Sequence, residues 1–489
     1  MYKSIIDAVI QNSRRTPEKI SLADSGCSYS YQRLVSEVYR TAQWFEQTGI
    51  GSGDAVLVEC TQNCFFMILD LACELSGIVF VPVEKKALEE RVAHIYAETS
   101  AKCIIGVTDY SNIGINYHIS EILDFLEQNT DYNFNNTEKQ NSVAEILFTT
   151  GTTGQPKGII ISHTANVAVA ENIQKGVGMK ENSVEIIPLP LSHSHGLRTC
   201  YAHLLNGSTA VIADGIINVG LFFHLMEQYC VNAIDISPTL AKLLFKIAKK
   251  GLTEYADRID YIEIGTAVLE DDTKEQMRKF FPESRLYNFY GSTEAGRSCV
   301  LDFNHFDQTG CIGYPTRNAV FHIVDEDRKE IPDAEVPGLI AVSGAMMMEA
   351  YLGDPQLTQS TLVNGILYTN DLGYKDKDGR IYIIGRKDDV INYKGIKIAP
   401  EEIETIASQY EGILDCACIP AEDKVCGQVP KLFVAVKPGI TFNADNFMCY
   451  LKSKLDQSRV PKYVETIEKI PRSSNGKLQR KKLRDEGQQ

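Results

Sequence analysis

The chain has 489 residues, of which 44% are apolar and 23% are charged, and its formal net charge is −15. This length predicts at least two domains with substantial cores, and the charged fraction is that of a folded protein rather than a disordered one. The acidic balance excludes nucleic acid as the main partner, because a basic footprint is missing.

The sequence predicts a cytoplasmic protein without a membrane span. The first 19 residues carry basic side chains and no apolar core, so a secretory signal is not expected. The most apolar segment, residues 64–83, is interrupted by Asp70 and Glu74, which favours a helix followed by a buried strand. Thirteen irregularly spaced cysteines favour reduced thiols and lack the paired spacing of a structural zinc site.

Alternating helical and extended patterns predict a layered α/β fold. Residues 31–47 have helical periodicity and precede the apolar strand AVLVEC, and a second helix at residues 65–76 leads to the strand IVFVPV. The same order recurs at residues 203–212, 222–236 and 274–287. Repeated units of this kind favour a sheet with helices on its faces. The polar residues 129–142 predict a linker or surface loop.

The segment LFTTGTTGQPKGIIISH, residues 147–163, places glycines, threonines and a lysine between two apolar runs. Glycines allow the backbone to approach an anion, hydroxyl groups donate hydrogen bonds, and Lys157 supplies a charge. The segment differs from a Walker loop because Gly158 follows the lysine in place of Ser or Thr. It predicts a phosphate-binding loop, with a flexible surface turn as the alternative.

A second candidate site combines YNFYGSTEAG, residues 287–296, with IEIGTA, residues 262–267. An aromatic ring beside a glycine turn can stack on a purine, Thr293 can donate to a phosphate oxygen, and Glu294 can bind magnesium. The alternative is a structural turn with a core tyrosine, and spacing alone does not separate the two interpretations.

A third candidate site spans residues 367–404. Asp371 can accept hydrogen bonds from both ribose hydroxyls, and the planar guanidinium of Arg386 can cover a phosphate or ribose oxygen. Asp378-Gly379 predicts a hairpin turn between them, and Pro400 with the glutamates after it predicts a helix start. A domain boundary is expected between this hairpin and this helix. The alternative is an exposed acidic loop.

The fourth segment, PRSSNGKLQRKK at residues 471–482, has a tight-turn signal. Asn475-Gly476 predicts a turn that places Lys477 at the tip of a loop. The basic residues after it are typical of a solvated tail.

These four segments, in this order, resemble the acyl-adenylate-forming superfamily, which contains acyl- and aryl-CoA ligases, adenylation domains of peptide synthetases, and luciferases. TTGTTGQPKG, YGSTE, NDLG, GRKDD and NGK carry the resemblance along essentially the whole chain. It implies a large layered N-terminal α/β domain with the nucleotide site and acid pocket, residues 1–387. It also implies a small mobile C-terminal α+β domain, residues 388–489, that carries the catalytic lysine. The implied cofactors are ATP, Mg²⁺, and CoA or the phosphopantetheine of a carrier protein.

The resemblance also implies which residues bind the nucleotide. The loop that holds the β- and γ-phosphates of ATP corresponds to Thr149, Thr150, Gly151, Thr152, Thr153, Gly154 and Lys157. Tyr290 matches the residue that stacks on adenine, and Asp371 matches the ribose ligand with Arg386 beside it. Further positions of this site are Gly265, Thr266, Ala267, Asn288, Phe289, Gly291 and Ile383.

The implied catalytic positions are Lys477, Thr293, Glu294 and His193. Lys477 bridges the substrate carboxylate and the α-phosphate, Thr293 contacts a phosphate, and Glu294 is the magnesium ligand. Asp388 matches the hinge between the domains, and Gly395 lies on the pantetheine path. Asn370, Leu339 and Ala350 depart from the residues usual at their positions, and none of these departures removes a catalytic side chain.

The acid pocket corresponds to PLPLSHSHGLRT, residues 188–199, with His193 where a gating histidine is usual. The pocket residues are His193, Ser194, His195, Arg198 and Gly265. The aspartate that binds the α-amino group in peptide-synthetase domains is missing, which disfavours an ordinary amino acid. The HxHGL pattern is similar to ligases for small dicarboxylic acids, and Arg198 can pair with a second carboxylate. Alternatively, the histidines are core residues and Arg198 lies on the surface, so aryl or aliphatic monocarboxylates are the expected substrates.

The function that the resemblance implies is ATP-dependent activation of a small carboxylic acid to acyl-AMP, followed by thioester formation with CoA. One alternative is a stand-alone adenylation enzyme that loads the phosphopantetheine of an acyl or peptidyl carrier protein. The other is a non-catalytic nucleotide or acyl sensor, which intact Lys157, Glu294, Asp371 and Lys477 disfavour.

Overall fold

The computed structural model describes residues 2–130, 142–150, 156–305, 308–394, 396–423, 425–472 and 478–486. The chain divides into two compact units. Unit 1 comprises residues 1–321 and 342–368, and unit 2 comprises residues 322–341 and 369–489. The units are defined by compactness and not by motion, so a hinge boundary between residues 387 and 388 stays a prediction.

Unit 1 contains most of the helices and strands. Its helices are α1 (Ile5–Arg15), α2 (Tyr31–Gln47), α3 (Cys64–Ser76), α4 (Glu89–Thr99), α5 (Ile119–Gln128), α6 (His163–Gly176), α7 (Ser194–Asn206), α8 (Val219–Gln228), α9 (Pro238–Tyr255), α10 (Asp271–Phe280) and α11 (Pro355–Thr361). Its first strands are β1 (Ile20–Ala23), β2 (Ser28–Ser30), β3 (Ala55–Glu59), β4 (Val79–Val83), β5 (Cys103–Gly106), β6 (Asn116–His118), β7 (Val143–Thr150) and β8 (Pro156–Ser162). The strands that follow are β9 (Val184–Ile187), β10 (Thr209–Ile212), β11 (Ala233–Ile236), β12 (Tyr261–Ile264), β13 (Arg285–Ser292), β14 (Gly296–Asp302) and β15 (Cys311–Pro315).

Three later strands cross the division between the units along the chain: β16 (Ala319–Val324), β17 (Gly338–Gly344) and β20 (Ile366–Lys375). The short strands β18 (Ala350–Tyr351) and β19 (Leu362–Val363) belong to unit 1. Unit 2 adds β21 (Ile381–Arg386), β22 (Ile391–Tyr393), β23 (Ile396–Ile398), β24 (Ile413–Asp423), β25 (Gly427–Val436) and β26 (Tyr463–Thr466). Its helices are α12 (Pro400–Ser408), α13 (Ala444–Lys454) and α14 (Arg480–Glu486).

The strands of unit 1 form two sheets with parallel centres. In the larger sheet the order is β15-β14-β13-β12-β11-β9-β10-β1-β2, and the pairs from β13 to β1 are parallel. In the other sheet the order is β18-β8-β7-β4-β3-β5-β6, and only the pairs β18/β8 and β8/β7 are antiparallel. Strands β3, β4 and β10 to β12 are buried along their whole length, as expected for parallel strands covered by helices.

Helices α2 and α3 form where the sequence predicts them. The side chain of Ser30 accepts a hydrogen bond from the amide of Arg33 and so caps α2, whose buried Leu34 and Val38 lie one turn apart. One acidic residue of α3 has a structural role, because Glu74 accepts the amides of Ile5 and Ile6 at the start of α1. Within the described ranges, no helix has the length and apolar character needed to cross a membrane.

In unit 2, the sheet order is β23-β22-β25-β24, and β26 pairs in parallel with β25. Buried Ile403 of α12 and Phe447 of α13 belong to the core beside this sheet. Strands β20 and β21 form the predicted hairpin, in which Gly379 has a φ of +89°. A mixed α/β fold with a large N-terminal part and a small C-terminal part is therefore confirmed. All thirteen cysteines are free, and the cytoplasmic location stays a prediction.

Arg198 lies in the interior of unit 1 beside a carboxylate. Its side chain is 2% exposed, and its Nη2 lies 3.3 Å from Oε1 of Glu145, which is 1% exposed. The hydroxyl of Tyr201 donates to the other oxygen of Glu145 at 3.1 Å. Buried charges require such partners, so this pair joins α7 to β7.

We expect Arg198→Met to lower the free energy of unfolding by about 3–5 kcal/mol, because it leaves the carboxylate of Glu145 buried without a cation. Lys279→Ala is the matched control, since it removes an ion pair whose partners are 72% and 57% exposed. Urea unfolding followed by circular dichroism measures both variants. Equal midpoints for Arg198→Met and the wild type would show that the buried pair has no net effect.

Candidate active site

Several of the site residues predicted in unit 1 lie at one edge of the larger sheet. Strands β9, β11, β12 and β13 are parallel neighbours, so their carboxyl ends lie at the same edge. The segments that leave these ends are residues 188–193, 237–238, 265–267 and 293–295. Open α/β sheets bind ligands beyond the carboxyl ends of their strands. This edge is therefore the candidate active site.

The turn between β13 and β14 brings Thr293 and Glu294 to this edge. The two strands approach so closely that a Cβ on Gly291 would lie 2.0 Å from the carbonyl oxygen of Gly296. Only glycine permits that approach without moving the backbone. The predicted residues Asn288, Phe289 and Tyr290 lie on β13, where Phe289 is buried and the other two are half-buried. The chain thus turns tightly after the side chain predicted to stack on adenine.

Tyr351 links the turn to the strand that follows the phosphate loop. Its hydroxyl donates to Oε1 of Glu294 at 3.1 Å, and Nζ of Lys157 lies 5.8 Å from the centroid of its ring. Burial and the charge of Glu294 raise the pKa of Tyr351, so the phenol stays a donor. Among the described residues, Oε2 of Glu294 accepts no hydrogen bond. A carboxylate oxygen of this kind fits a hard cation such as Mg²⁺.

The segment after β12 has an unusual backbone conformation. Thr266 has a φ of +79°, and it is flanked by buried Gly265 and exposed Ala267. A β-branched residue in this region costs roughly 1–3 kcal/mol, and such conformations cluster at functional sites. This strain supports the interpretation of residues 265–267 as part of a binding site.

The hairpin of β7 and β8 frames the predicted phosphate loop. Its register places Thr149 opposite Lys157 and Thr150 opposite Pro156. The lysine therefore stands at the base of the predicted loop, opposite one of its threonines. Six predicted site residues lie outside the described residues: Gly151, Thr152, Thr153, Gly154, Gly395 and Lys477.

The first turn of α7 carries the predicted acid-pocket residues. His193, the N-terminal cap position, lies with its Nε2 3.8 Å from Oε1 of Glu84, and burial lowers its pKa. The hydroxyls of Ser194 and Thr293 are 3.5 Å apart, so the pocket segment contacts the turn after β13. Arg198, about one turn further into the helix, has Glu145 as its partner inside the protein. That pair neutralises its charge without a second substrate carboxylate.

His195 belongs to a buried network of charged groups. Its Nε2 lies 2.6 Å from Oδ1 of Asp235, and the other oxygen of this aspartate accepts from the hydroxyl of Thr199 at 2.6 Å. Nη2 of Arg297 donates to the same hydroxyl at 2.6 Å, and its Nη1 donates to the carboxylate of Glu263. Burial and then Arg297 lower the pKa of His195, although Asp235 opposes them.

Asp235, Glu263 and Arg297 are not among the predicted site residues, although Glu263 lies within the segment IEIGTA. Asp235 and Glu263 are acidic residues within the fully buried strands β11 and β12. An acidic residue in a short apolar run, such as AIDI or YIEI, is the signal that indicates a buried partner. Their partner, Arg297, directly follows the YGSTEAG motif. It lies far along the chain from both acidic residues, so the sequence alone does not indicate the contact.

Unit 2 brings together the predicted ribose and hinge residues. Asp371 pairs with Arg386 across β20 and β21, and Oδ1 of the aspartate is 3.7 Å from Nε of the arginine. Ile383 lies on β21. The side-chain amide of Asn370 donates to Oδ2 of exposed Asp388 at 2.9 Å. The departure at Asn370 thus places a new hydrogen bond on the predicted hinge residue.

Asp24, Cys27 and Cys64 form a separate group of possible metal ligands. One ligand atom from each residue lies within 4.8 Å of the other two. The oxygens of Asp24 already accept the amides of Gly26, Cys27 and Cys64 at 2.7 to 2.9 Å. These bonds fix the turn between β1 and β2 to the start of α3, which explains the aspartate without a metal.

Comparison with known proteins gives matches along the whole chain. A family model described as "AMP-binding enzyme" matches residues 9–352, and one described as "AMP-binding enzyme C-terminal domain" matches residues 402–477. The 4-coumarate:CoA ligase 1 of Petunia hybrida is 30% identical over 488 residues, which cover 93% of this chain and 88% of the relative. The medium-chain fatty-acid–CoA ligase of Escherichia coli (strain K12) is 27% identical over 521 residues, covering 98% and 90%.

Solved structures show the same fold. ATP-bound MatB from Rhodopseudomonas palustris superimposes with a TM-score of 0.89 at 22% identity, covering 99% of both chains. The o-succinylbenzoate CoA synthetase of Bacillus subtilis, in complex with ATP and magnesium, superimposes with a TM-score of 0.86 at 22% identity, covering 98% and 99%. At this identity, the likeness describes the fold of the chain.

Gly291→Ala tests the close approach of β13 and β14. A methyl group 2.0 Å from a backbone oxygen forces the strands apart, so we expect a loss of about 1–3 kcal/mol in the free energy of unfolding and at least tenfold weaker ATP binding. The control is Gly51→Ala, because a Cβ at Gly51 meets nothing within 4 Å. Urea unfolding and titration calorimetry measure the two quantities. Wild-type values for Gly291→Ala would refute the steric argument.

Proposed function

The chain belongs to the AMP-binding enzyme family, and we propose that it activates a carboxylic acid with ATP and transfers the acyl group to coenzyme A. The observation that carries this proposal is the near full-length similarity to curated acid–CoA ligases, with 93% and 98% of the chain covered. The cluster of Lys157, Tyr351 and Glu294 beside the pocket segment of α7 supports it. ATP and CoA follow from the same relatives.

The proposed reaction has two steps. First, a carboxylate oxygen attacks the α-phosphorus of ATP, the bond to the β-phosphate breaks, and pyrophosphate leaves. Second, the sulfur of CoA attacks the acyl carbon, its proton is lost to solvent, and AMP leaves. Both steps depend chiefly on positioning and on compensation of negative charge. Lys157 and Thr293 would bind phosphate oxygens, and Lys477 would bridge the carboxylate and the α-phosphate.

A magnesium ion would compensate the charge of the phosphates when bound, and Glu294 is the residue proposed to hold it. Its hydrogen bond from Tyr351 suits this role, because the bond fixes Oε1 and leaves Oε2, which has no partner among the described residues, for the cation. Asp371 would hold the ribose, and Tyr290 would stack on adenine. Asp388 would be the pivot for movement of the domain proposed at residues 388–489.

The proposed substrate is an aryl or aliphatic monocarboxylate. Arg198, the residue with which a second carboxylate could pair, already compensates Glu145 inside the protein. The acceptor proposed is CoA, and the alternative is the phosphopantetheine of a carrier protein. The C-terminal domain carries slightly more basic than acidic residues, which suits either of these acidic partners.

Mass spectrometry of reaction products tests the function and the acceptor. Purified protein is incubated with ATP, magnesium and a panel of aryl, aliphatic, dicarboxylic and amino acids, with and without CoA. Acyl-CoA from one class supports the proposal and identifies that class. Acyl-AMP that persists in the presence of CoA supports the carrier-loading alternative, and no product from any acid contradicts both.

We expect Lys477→Ala to slow adenylation by roughly 10² to 10³, because the charge that develops at the α-phosphate loses its cation. Thioester formation from supplied acyl-AMP stays within twofold of the wild type. The control is Lys481→Ala, which removes an exposed lysine of α14. Pyrophosphate release and acyl-CoA formation are measured separately. Equal loss in both steps would contradict the assignment of Lys477 to the first step alone.

A hinge at Asp388 predicts a different outcome for Asp388→Pro. Proline fixes φ, so rotation about this residue is blocked and the thiol step slows at least tenfold more than adenylation. Asp388→Ala serves as the control, because it removes the carboxylate but keeps the rotation. If both steps slow by the same factor in Asp388→Pro, the pivot lies elsewhere.

A further inference from the structure

The proton positions around Asp235 follow from its partners. Arg297 has only donors, so its Nη2 donates to the hydroxyl of Thr199 and to Oδ2 of Asp235, at 2.6 and 3.3 Å. The hydroxyl of Thr199 then directs its own proton to Asp235. The aspartate therefore acts as an ionised acceptor of these hydrogen bonds. The other oxygen of Asp235, Oδ1, can only accept in its hydrogen bond with Nε2 of His195, so this nitrogen carries the proton.

With a proton on Nε2, a neutral imidazole has a lone pair on Nδ1. Burial and the charge of Arg297 lower the pKa of His195, which favours the neutral ring at pH 7. Within the part of the chain that the structure describes, Nδ1 has no hydrogen-bond partner. The ring therefore offers one acceptor and no second donor.

Gly265 lies beside Cε1 and Nδ1 of the His195 ring, and because it has no side chain it leaves this edge of the ring uncovered. A Cβ at this position would lie 2.7 Å from Cε1 and 3.2 Å from Nδ1 of His195, so any larger residue would fill the space over the acceptor. The side chain of His195 is 9% exposed, and its neighbour Ser194 contacts the hydroxyl of Thr293. The acceptor thus lies between the segment after β12 and the start of α7, within the proposed acid pocket.

We propose that Asp235 and Arg297 hold His195 as a neutral hydrogen-bond acceptor, so that the enzyme prefers a carboxylic acid whose tail bears an uncharged donor, such as a hydroxyl group. This inference rests on the proposed function and narrows its substrate class. Asp235 and Arg297 are positioning residues in it, because they act through the ring of His195.

A dicarboxylic acid is disfavoured by the same geometry. Its second carboxylate has no proton to donate, and it would face the lone pair of Nδ1 with the charge of Arg297 already taken by Asp235 and Glu263. An ionised group that loses water without gaining a donor is costly to bury. The HxHGL pattern is similar to that of dicarboxylate ligases. In this chain, however, its second histidine, His195, disfavours a second carboxylate.

Nitrogen NMR of histidine-labelled wild-type protein tests the arrangement directly. We expect the His195 signals of a neutral ring with the proton on Nε2, assigned by their loss in His195→Phe. Asp235→Leu shifts these signals toward the mixture of tautomers found in free histidine, which a merely structural role of Asp235 would not require. A proton on Nδ1 in the wild type at pH 7, in either a neutral or a charged ring, overturns the proposal.

A substrate series tests the consequence. Pyrophosphate release is measured with matched benzoic and cinnamic acids that carry a hydrogen, hydroxyl or carboxylate group at each ring position. We expect the preferred hydroxy acid to exceed its unsubstituted partner roughly tenfold in kcat/KM, the effect of one hydrogen bond, and to exceed every dicarboxylic acid. In His195→Phe that advantage disappears, so that the hydroxy acid and its unsubstituted partner differ by less than threefold in kcat/KM, whatever the overall rate of the variant.

The two proposals fail in different ways in this series. Preference for a dicarboxylic acid, or an equal loss with all acids in His195→Phe, overturns the substrate preference but leaves the ligase function standing. Absence of pyrophosphate release with every acid overturns the proposed function, and the substrate preference with it.

Discussion

A single buried guanidinium organises the edge of the larger sheet at which the candidate active site lies. Arg297 on β14 donates to side chains from β11, β12 and α7, and without it the carboxylates of Asp235 and Glu263 would be buried without a cation. Charges in such surroundings are stable only when their partners are fixed. The strands, the helix that carries the acid-pocket segment and the turn after β13 are therefore held in one arrangement by the need to compensate these charges.

The need of charged groups for fixed partners also distinguishes side chains that stabilise the fold from side chains that are available to a ligand. Arg198 and Glu145 compensate each other in the interior, and Glu74 of α3 caps α1. Glu294 is different, because Tyr351 occupies one of its oxygens and the other has no partner within the described residues. Incomplete satisfaction in a partly exposed carboxylate at the end of parallel strands is the property expected of a cation ligand.

The sequence predicts local structure well and long-range pairing poorly, for physical reasons. Helix α2 is predicted over its observed residues because its apolar residues recur at helical spacing along one buried face. The partner of Arg198 is 53 residues away, and nothing local indicates that the side chain is buried. Asp235 is likewise 62 residues from Arg297. The roles of the phosphate loop and Lys477 depend on the family resemblance, and much of that loop lies outside the described residues.

The hydrogen bond from Asn370 to Asp388 connects two parts of unit 2 that the family resemblance treats separately. Asn370 precedes Asp371 on β20, so any rotation of the chain at Asp388 must first break a contact made by the neighbour of the proposed ribose ligand. The residue beside the proposed ribose ligand therefore also holds the proposed pivot, so that the nucleotide site and the pivot have one side-chain amide in common.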